Sequence, residues 1–112
     1  MSTEHPLLCL ITAPDREAAD RIARALVDER LAACVNILPG ITSVYRWEGA
    51  VETGEEVLLM AKTMRTRLDA LTARAKQLHP YEVPEVIAVG IEGGLPAYLD
   101  WIAAETAGSP RA

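Results

Sequence analysis

Three short apolar runs limit what this chain can fold into. They are Leu7-Leu8-Cys9-Leu10-Ile11, Val57-Leu58-Leu59-Met60-Ala61 and Val86-Ile87-Ala88-Val89. Runs of this length with no turn former inside them read as strands. A strand with one wet face alternates apolar and polar residues, and these three are apolar at both parities. Both faces of the sheet they build must therefore be covered. Helices can cover one. A single short C-terminal helix cannot cover the other, so further copies of the same chain are the expected cover.

The order of elements gives the topology. Pro14 and Asp15 open a first helix, with Asp15 and Glu17 at its positive end and an apolar face of Ala18, Ile22, Leu26 and Val27 that runs through Leu31. A second strand runs from Cys34 to Ile41, is interrupted at Pro39-Gly40, and resumes through Val44, Tyr45 and Arg46. Trp47-Glu48-Gly49-Ala50 reads as a hairpin turn, and a third strand ends at Lys62. Thr63 can cap a second helix whose stripe is Met64, Leu68, Leu71, Ala75 and Leu78, and which stops at His79-Pro80. A fourth strand, a Gly93-Gly94 turn and a helix starting at Pro96 complete the chain, with Thr106 to Ala112 as a frayed tail. Strand–helix–strand–strand–helix–strand is the split pattern of an α+β, ferredoxin-like βαββαβ fold, here with an extra C-terminal helix. The 112 residues suit one domain, taken as 1–112 with an ordered core over about 7–105.

Charge and composition exclude several functions. The net charge of −5 argues against a nucleic-acid binder, which needs a basic face. No apolar stretch approaches the ~20 residues that cross a bilayer, and Met1 to Pro6 lacks the basic-then-apolar order of a secretion signal. Two cysteines, Cys9 and Cys34, with no C-x-x-C spacing suit reduced thiols in a cytoplasmic protein. No phosphate loop or nucleophile–base pattern is present, and Arg16 after the first strand is too little for acylphosphatase-type catalysis, so the chain reads as no enzyme.

Few residues are left to carry chemistry. His79, the only His outside the N-terminal tail, is either a helix C-cap or a metal ligand that needs Cys, Asp or Glu from elsewhere. Cys34 is either a small residue at a strand entry or a reactive thiol, and nothing near it in sequence supplies the cation that reactivity needs. Tyr45 and Trp47 share a strand face, Lys62 ends the partner strand, and Tyr81 and Glu85 flank the fourth strand. With Glu56, these six either line a polar cleft between subunits or pack as interface rings, with Lys62 paired to Glu56 or Glu85.

The segments Ala32-Ala33-Cys34-Val35-Asn36-Ile37-Leu38-Pro39-Gly40, continuing through Ser43, Tyr45, Trp47 and Gly49, and His79-Pro80-Tyr81-Glu82-Val83-Pro84-Glu85 hold most of the chain's rings. Their order and spacing closely resemble the CutA family of divalent-cation tolerance proteins, from about Leu7 to Trp101. The resemblance implies a cytoplasmic homotrimer, sheets around the three-fold axis, with the bent segment from Cys34 to Ala61 as the inter-subunit edge. It implies a non-enzymatic part in tolerance of divalent metal ions such as copper, with no obligatory cofactor and weak binding through His79 and carboxylates. Copper-competent members carry Cys and His where this chain has Ile11 and Leu78, which leaves His79, with Cys9 as a weaker substitute ligand. The alternative is a trimeric signalling scaffold that takes a small molecule or anion in the inter-subunit cleft, anchored by Lys62 and Trp47.

Overall fold

A computed structural model describes residues 5–108. The expected polar start and frayed tail therefore lie partly outside the described residues. The order is β1 (Pro6–Ala13), α1 (Arg16–Asp28), β2 (Cys34–Trp47), β3 (Ala50–Met64), α2 (Leu68–Leu78), β4 (Val86–Gly90) and α3 (Pro96–Glu105). One antiparallel sheet runs β2-β3-β1-β4, the α+β arrangement that the element order predicts.

Asp15 caps α1, its carboxylate accepting from the Ala18 N–H at 2.8 Å, so Pro14 stands before the helix and not in its first turn. The helix buries Ala18, Ala19, Ile22, Ala23 and Leu26 and ends sooner than its apolar residues do. Arg30 turns left-handed at φ 60, and Leu31 and Ala32 fold back so that both N–H groups bond the Leu26 carbonyl. Leu31 is buried outside the helix, not on its face.

β2 and β3 form a long hairpin closed by Glu48 and Gly49, both left-handed at φ 48 and 83, as the tightest hairpin turns require. The ladder slips between Leu38 and Ile41, with Gly40 at φ 80 where the sequence placed a bend. β1 pairs with β3 only over Val57–Met64. The segment from Ala50 to Glu56 pairs with β2 alone and stands out as an arm.

Thr63 does not cap the second helix. It is a buried strand residue whose hydroxyl donates to the Leu31 carbonyl at 2.7 Å. Met64 also belongs to β3, and a single 3-10 turn, Arg65–Arg67, comes before α2. The stripe begins only at Leu68, because the ladder to β1 carries the strand past Lys62 to the Pro6–Met64 pair.

Alternate strand residues separate the two sheet faces. Cys9, Ile11, Ala13, Val57, Leu59 and Ala61 face the helices and join the core with Ile22, Leu26, Leu71 and Ala75. The other face carries Leu8, Leu10, Leu58, Met60, Ile87 and Val89 by the same alternation. α3 covers one end of it, packing Ile102 and Leu99 with Ala33 and Met64. Arg67 and Arg30 bond the last carbonyls of this helix, at Thr106 and Glu105. Beyond that end, Ile87 and Val89 are each 51% exposed, while Leu8, Leu10, Leu58 and Met60 are half-buried.

Candidate functional site

The arm leaves the sheet at Glu56, and polar side chains gather there. The loop after α2 brings Tyr81 over β3, where its hydroxyl donates to the Glu56 carboxylate at 3.0 Å. Tyr45, from β2, lays its ring against Gly54, where an added Cβ would meet its hydroxyl at 3.6 Å. Desolvation, then the Glu56 hydrogen bond and charge, push the Tyr81 phenol up to about 12. Tyr45 and Asp15 add smaller contributions in the same direction.

His79 holds this group in place. It caps α2 with extended backbone, as the following Pro80 dictates, and its ring is buried. Nε2 lies 2.7 Å from the Thr12 carbonyl and Nδ1 accepts the Tyr81 N–H at 3.1 Å. This pairing requires the neutral tautomer with its proton on Nε2, because a carbonyl can only accept. The ring also packs on Tyr81, centroids 4.8 Å apart.

Neither candidate ligand fits a metal within one chain. A cation could reach Nδ1 only by displacing the Tyr81 N–H. Cys9 is fully buried among Ile22 and its neighbours, and burial pushes its thiol up to about 11, while the thiolate is the ligand form. Among the described residues no three His, Cys, Asp or Glu side chains stand close enough to hold an ion. Ile11 is also fully buried, and Leu78 packs against the core.

The six cleft residues do not meet in one chain. Glu56 and Tyr81 meet at the arm root, and Tyr45, paired with Glu52 further out, reaches back towards them with its ring over Gly54. Trp47, paired with Ala50 and 59% exposed, lies at the arm tip, about 20 Å along the strand from Glu56. Lys62 lies about as far the other way. Glu85 is exposed beside β4 and enters none of the ion pairs among the described residues. Lys62 pairs with neither Glu56 nor Glu85. Its ammonium donates to the Asn36 side chain and approaches Cys34 Sγ at 3.8 Å. Strand register supplies the cation that sequence proximity did not, because Cys34 and Lys62 are directly opposed. Tyr98 of α3 faces the same thiol, its phenol raised by desolvation and then by Cys34.

The model of the family "CutA1 divalent ion tolerance protein" matches residues 7–105. The chain belongs to the CutA1 family. It is 54% identical over 97 residues to the divalent-cation tolerance protein CutA of Thermus thermophilus, covering 87% of this chain and 94% of that one. It is 50% identical over 101 residues to the chloroplastic CutA 1 protein of rice, covering 90% of this chain and 57% of that longer one. The crystal structure of CutA from Xylella fastidiosa superposes with a TM-score of 0.90 at 48% identity, over 92% of this chain and 99% of the other. Asn36 and Tyr98 are the site residues that sequence reading missed. Asn36 shares a strand face with Cys34, which is a readable signal, whereas nothing in sequence brings Tyr98 there.

Proposed function

We propose that the protein is a non-enzymatic homotrimer that serves in the cytoplasm in tolerance of divalent cations, copper among them. Membership of a family named for that tolerance supports the role. The observation that carries the assembly is the outer sheet face, where Ile87 and Val89 are each half exposed beside the half-buried Leu10 and Met60. A projecting arm with Val44, Val51 and Trp47 exposed suits an inter-subunit edge, and would bring Tyr45, Trp47 and Lys62 of different copies towards one cleft. Cations are then held weakly, at carboxylates such as Glu56 and Glu85 gathered between subunits, and not by a resident site built on His79. Isothermal titration of Cu²⁺ against wild type, His79→Ala and Glu56→Gln tests this. The expected result is weak binding that His79→Ala leaves intact and Glu56→Gln reduces. Binding abolished by His79→Ala alone would return the imidazole to the site.

The second reading is a scaffold that binds a small molecule or anion in the same cleft. It is favoured by Lys62, half-buried beside Asn36 and outside every ion pair among the described residues. A thermal-shift screen of metabolite anions, with Lys62→Ala as control, separates the two. Stabilisation lost in the variant supports the anion, and no stabilisation by any anion leaves the cation reading standing.

A further inference from the structure

Cys34 and Lys62 stand directly opposed on β2 and β3, on the sheet face turned away from α1 and α2. Lys62 Nζ is 3.8 Å from Cys34 Sγ. Asn36, two residues further along the strand, accepts from the same ammonium and holds it over the sulfur. Cys34 is a free, half-buried thiol, and with Lys62 it borders the inter-subunit cleft proposed above, the route that a molecule the size of hydrogen peroxide would take. Cys9, the other free thiol, is fully buried on the opposite face, opposite Ala61 and Ala88.

A sulfenic acid formed beside a second nucleophile is captured by it before a further oxidant arrives, because an intramolecular partner acts at very high effective concentration. Here that partner is an amine on a flexible four-carbon stem, which can close 3.8 Å by side-chain rotation without moving either strand. We propose that Cys34 and Lys62 form a redox-closed cross-link, in which peroxide oxidises the thiol and the lysine amine captures the sulfur as an S–N bond joining β2 to β3. In the first step the thiolate attacks one peroxide oxygen, the O–O bond breaks, and thiol plus peroxide gives sulfenic acid plus water. In the second, the amine, its extra proton lost to solvent, attacks sulfur. The S–O bond breaks, and hydroxide leaves with the amine proton as water. Sulfur is oxidised, peroxide is reduced, and the protein loses two hydrogens in all. A dithiol reductant attacks the sulfur, releases the amine and forms a mixed disulfide, and its second thiol then frees Cys34 as the reductant closes to its own disulfide.

The test is intact-mass and tryptic-peptide analysis of the purified protein after stepwise hydrogen peroxide. Wild type, Cys9→Ala, Cys34→Ser, Lys62→Gln and Lys62→Arg are compared, with folding of each checked by circular dichroism. The expected result is loss of two hydrogens, protection of the bond after Lys62 from trypsin, and full reversal by dithiothreitol. The change should persist in Cys9→Ala and vanish in Cys34→Ser and Lys62→Gln. Should Cys34→Ser fail to fold, Lys62→Gln alone decides. A gain of oxygen without loss of hydrogen in wild type would overturn the proposal. So would loss of two hydrogens that survives in Lys62→Gln, which marks a partner other than this lysine, or that needs Cys9, which marks an ordinary disulfide. A product that loses two hydrogens but retains an oxygen would overturn the S–N step.

Discussion

An imidazole has two nitrogens, and at His79 both already have partners in the fold. Truncation to Ala leaves the Thr12 carbonyl and the Tyr81 N–H without their partner. His79→Ala should therefore lose about 1–3 kcal/mol in urea denaturation, the usual cost of stranding buried polar groups. The phenol it positions gives a second readout. Tyr81 should titrate near pH 12 by ultraviolet absorbance, and Glu56→Gln should lower it only part of the way, since desolvation, the larger cause, remains when the carboxylate that favours the protonated phenol is gone. The sign for stability follows. Tyr81 is raised from 10 to about 12 and Cys9 from 9 to about 11, so the folded state keeps protons that the unfolded chain releases. Their contribution is complete below pH 9 and is lost as pH rises through about 11 and 12. Urea midpoints should fall over that range, and less steeply in Cys9→Ala. The cap at His79 was legible from the Pro that follows it. The use of its ring was not, because Thr12 is 67 residues away in sequence and only the packed fold brings its carbonyl there. Cys34 and Lys62 were hidden for the same reason: identity is local, whereas register is a property of the whole sheet.

Among the elements, the hairpin is where sequence and structure agree most fully, because turn chemistry is local. Pro39-Gly40 marked the slip in the ladder, and Glu48-Gly49 marked the turn. Thr63 misled because a hydroxyl beside a helix stripe is an equally good cap and strand residue in isolation. The choice was made by the Leu31 carbonyl, which tertiary folding delivers. The apolar residues of α1 outran the helix for a similar reason: Leu31 is buried by a left-handed reversal at Arg30 and not by helical period. The turn itself supplies a test. Glu48 adopts φ 48, a conformation that costs an ordinary side chain about 1 kcal/mol and Asn or Gly less. Glu48→Gly should raise stability by up to about 1 kcal/mol, and Gly49→Val should lower it by about 1–2 kcal/mol. Both are read from thermal melts at fixed protein concentration.

For the whole molecule, the same apolar residues have different consequences in one chain and in an assembly. Ile87 faces outward from β4, opposite Leu10 and half exposed. In a lone subunit, lysine at that place keeps its ammonium in water and costs little. Between packed sheets the same ammonium would be desolvated without a partner, which costs far more than the contact it replaces. Ile87→Lys should therefore lower the mass measured by light scattering while leaving the far-ultraviolet circular dichroism of a folded chain. Trp47 tests the other contact. It is 59% exposed at the arm tip, so its truncation removes little packing within its own chain. Across an interface an anchoring Trp is commonly worth 2 kcal/mol or more. Trp47→Ala should thus melt with a stronger dependence on protein concentration than wild type, because dissociation then precedes unfolding at higher concentrations. If both variants keep the wild-type mass and melting at micromolar protein, the open face and the arm are not what joins the subunits.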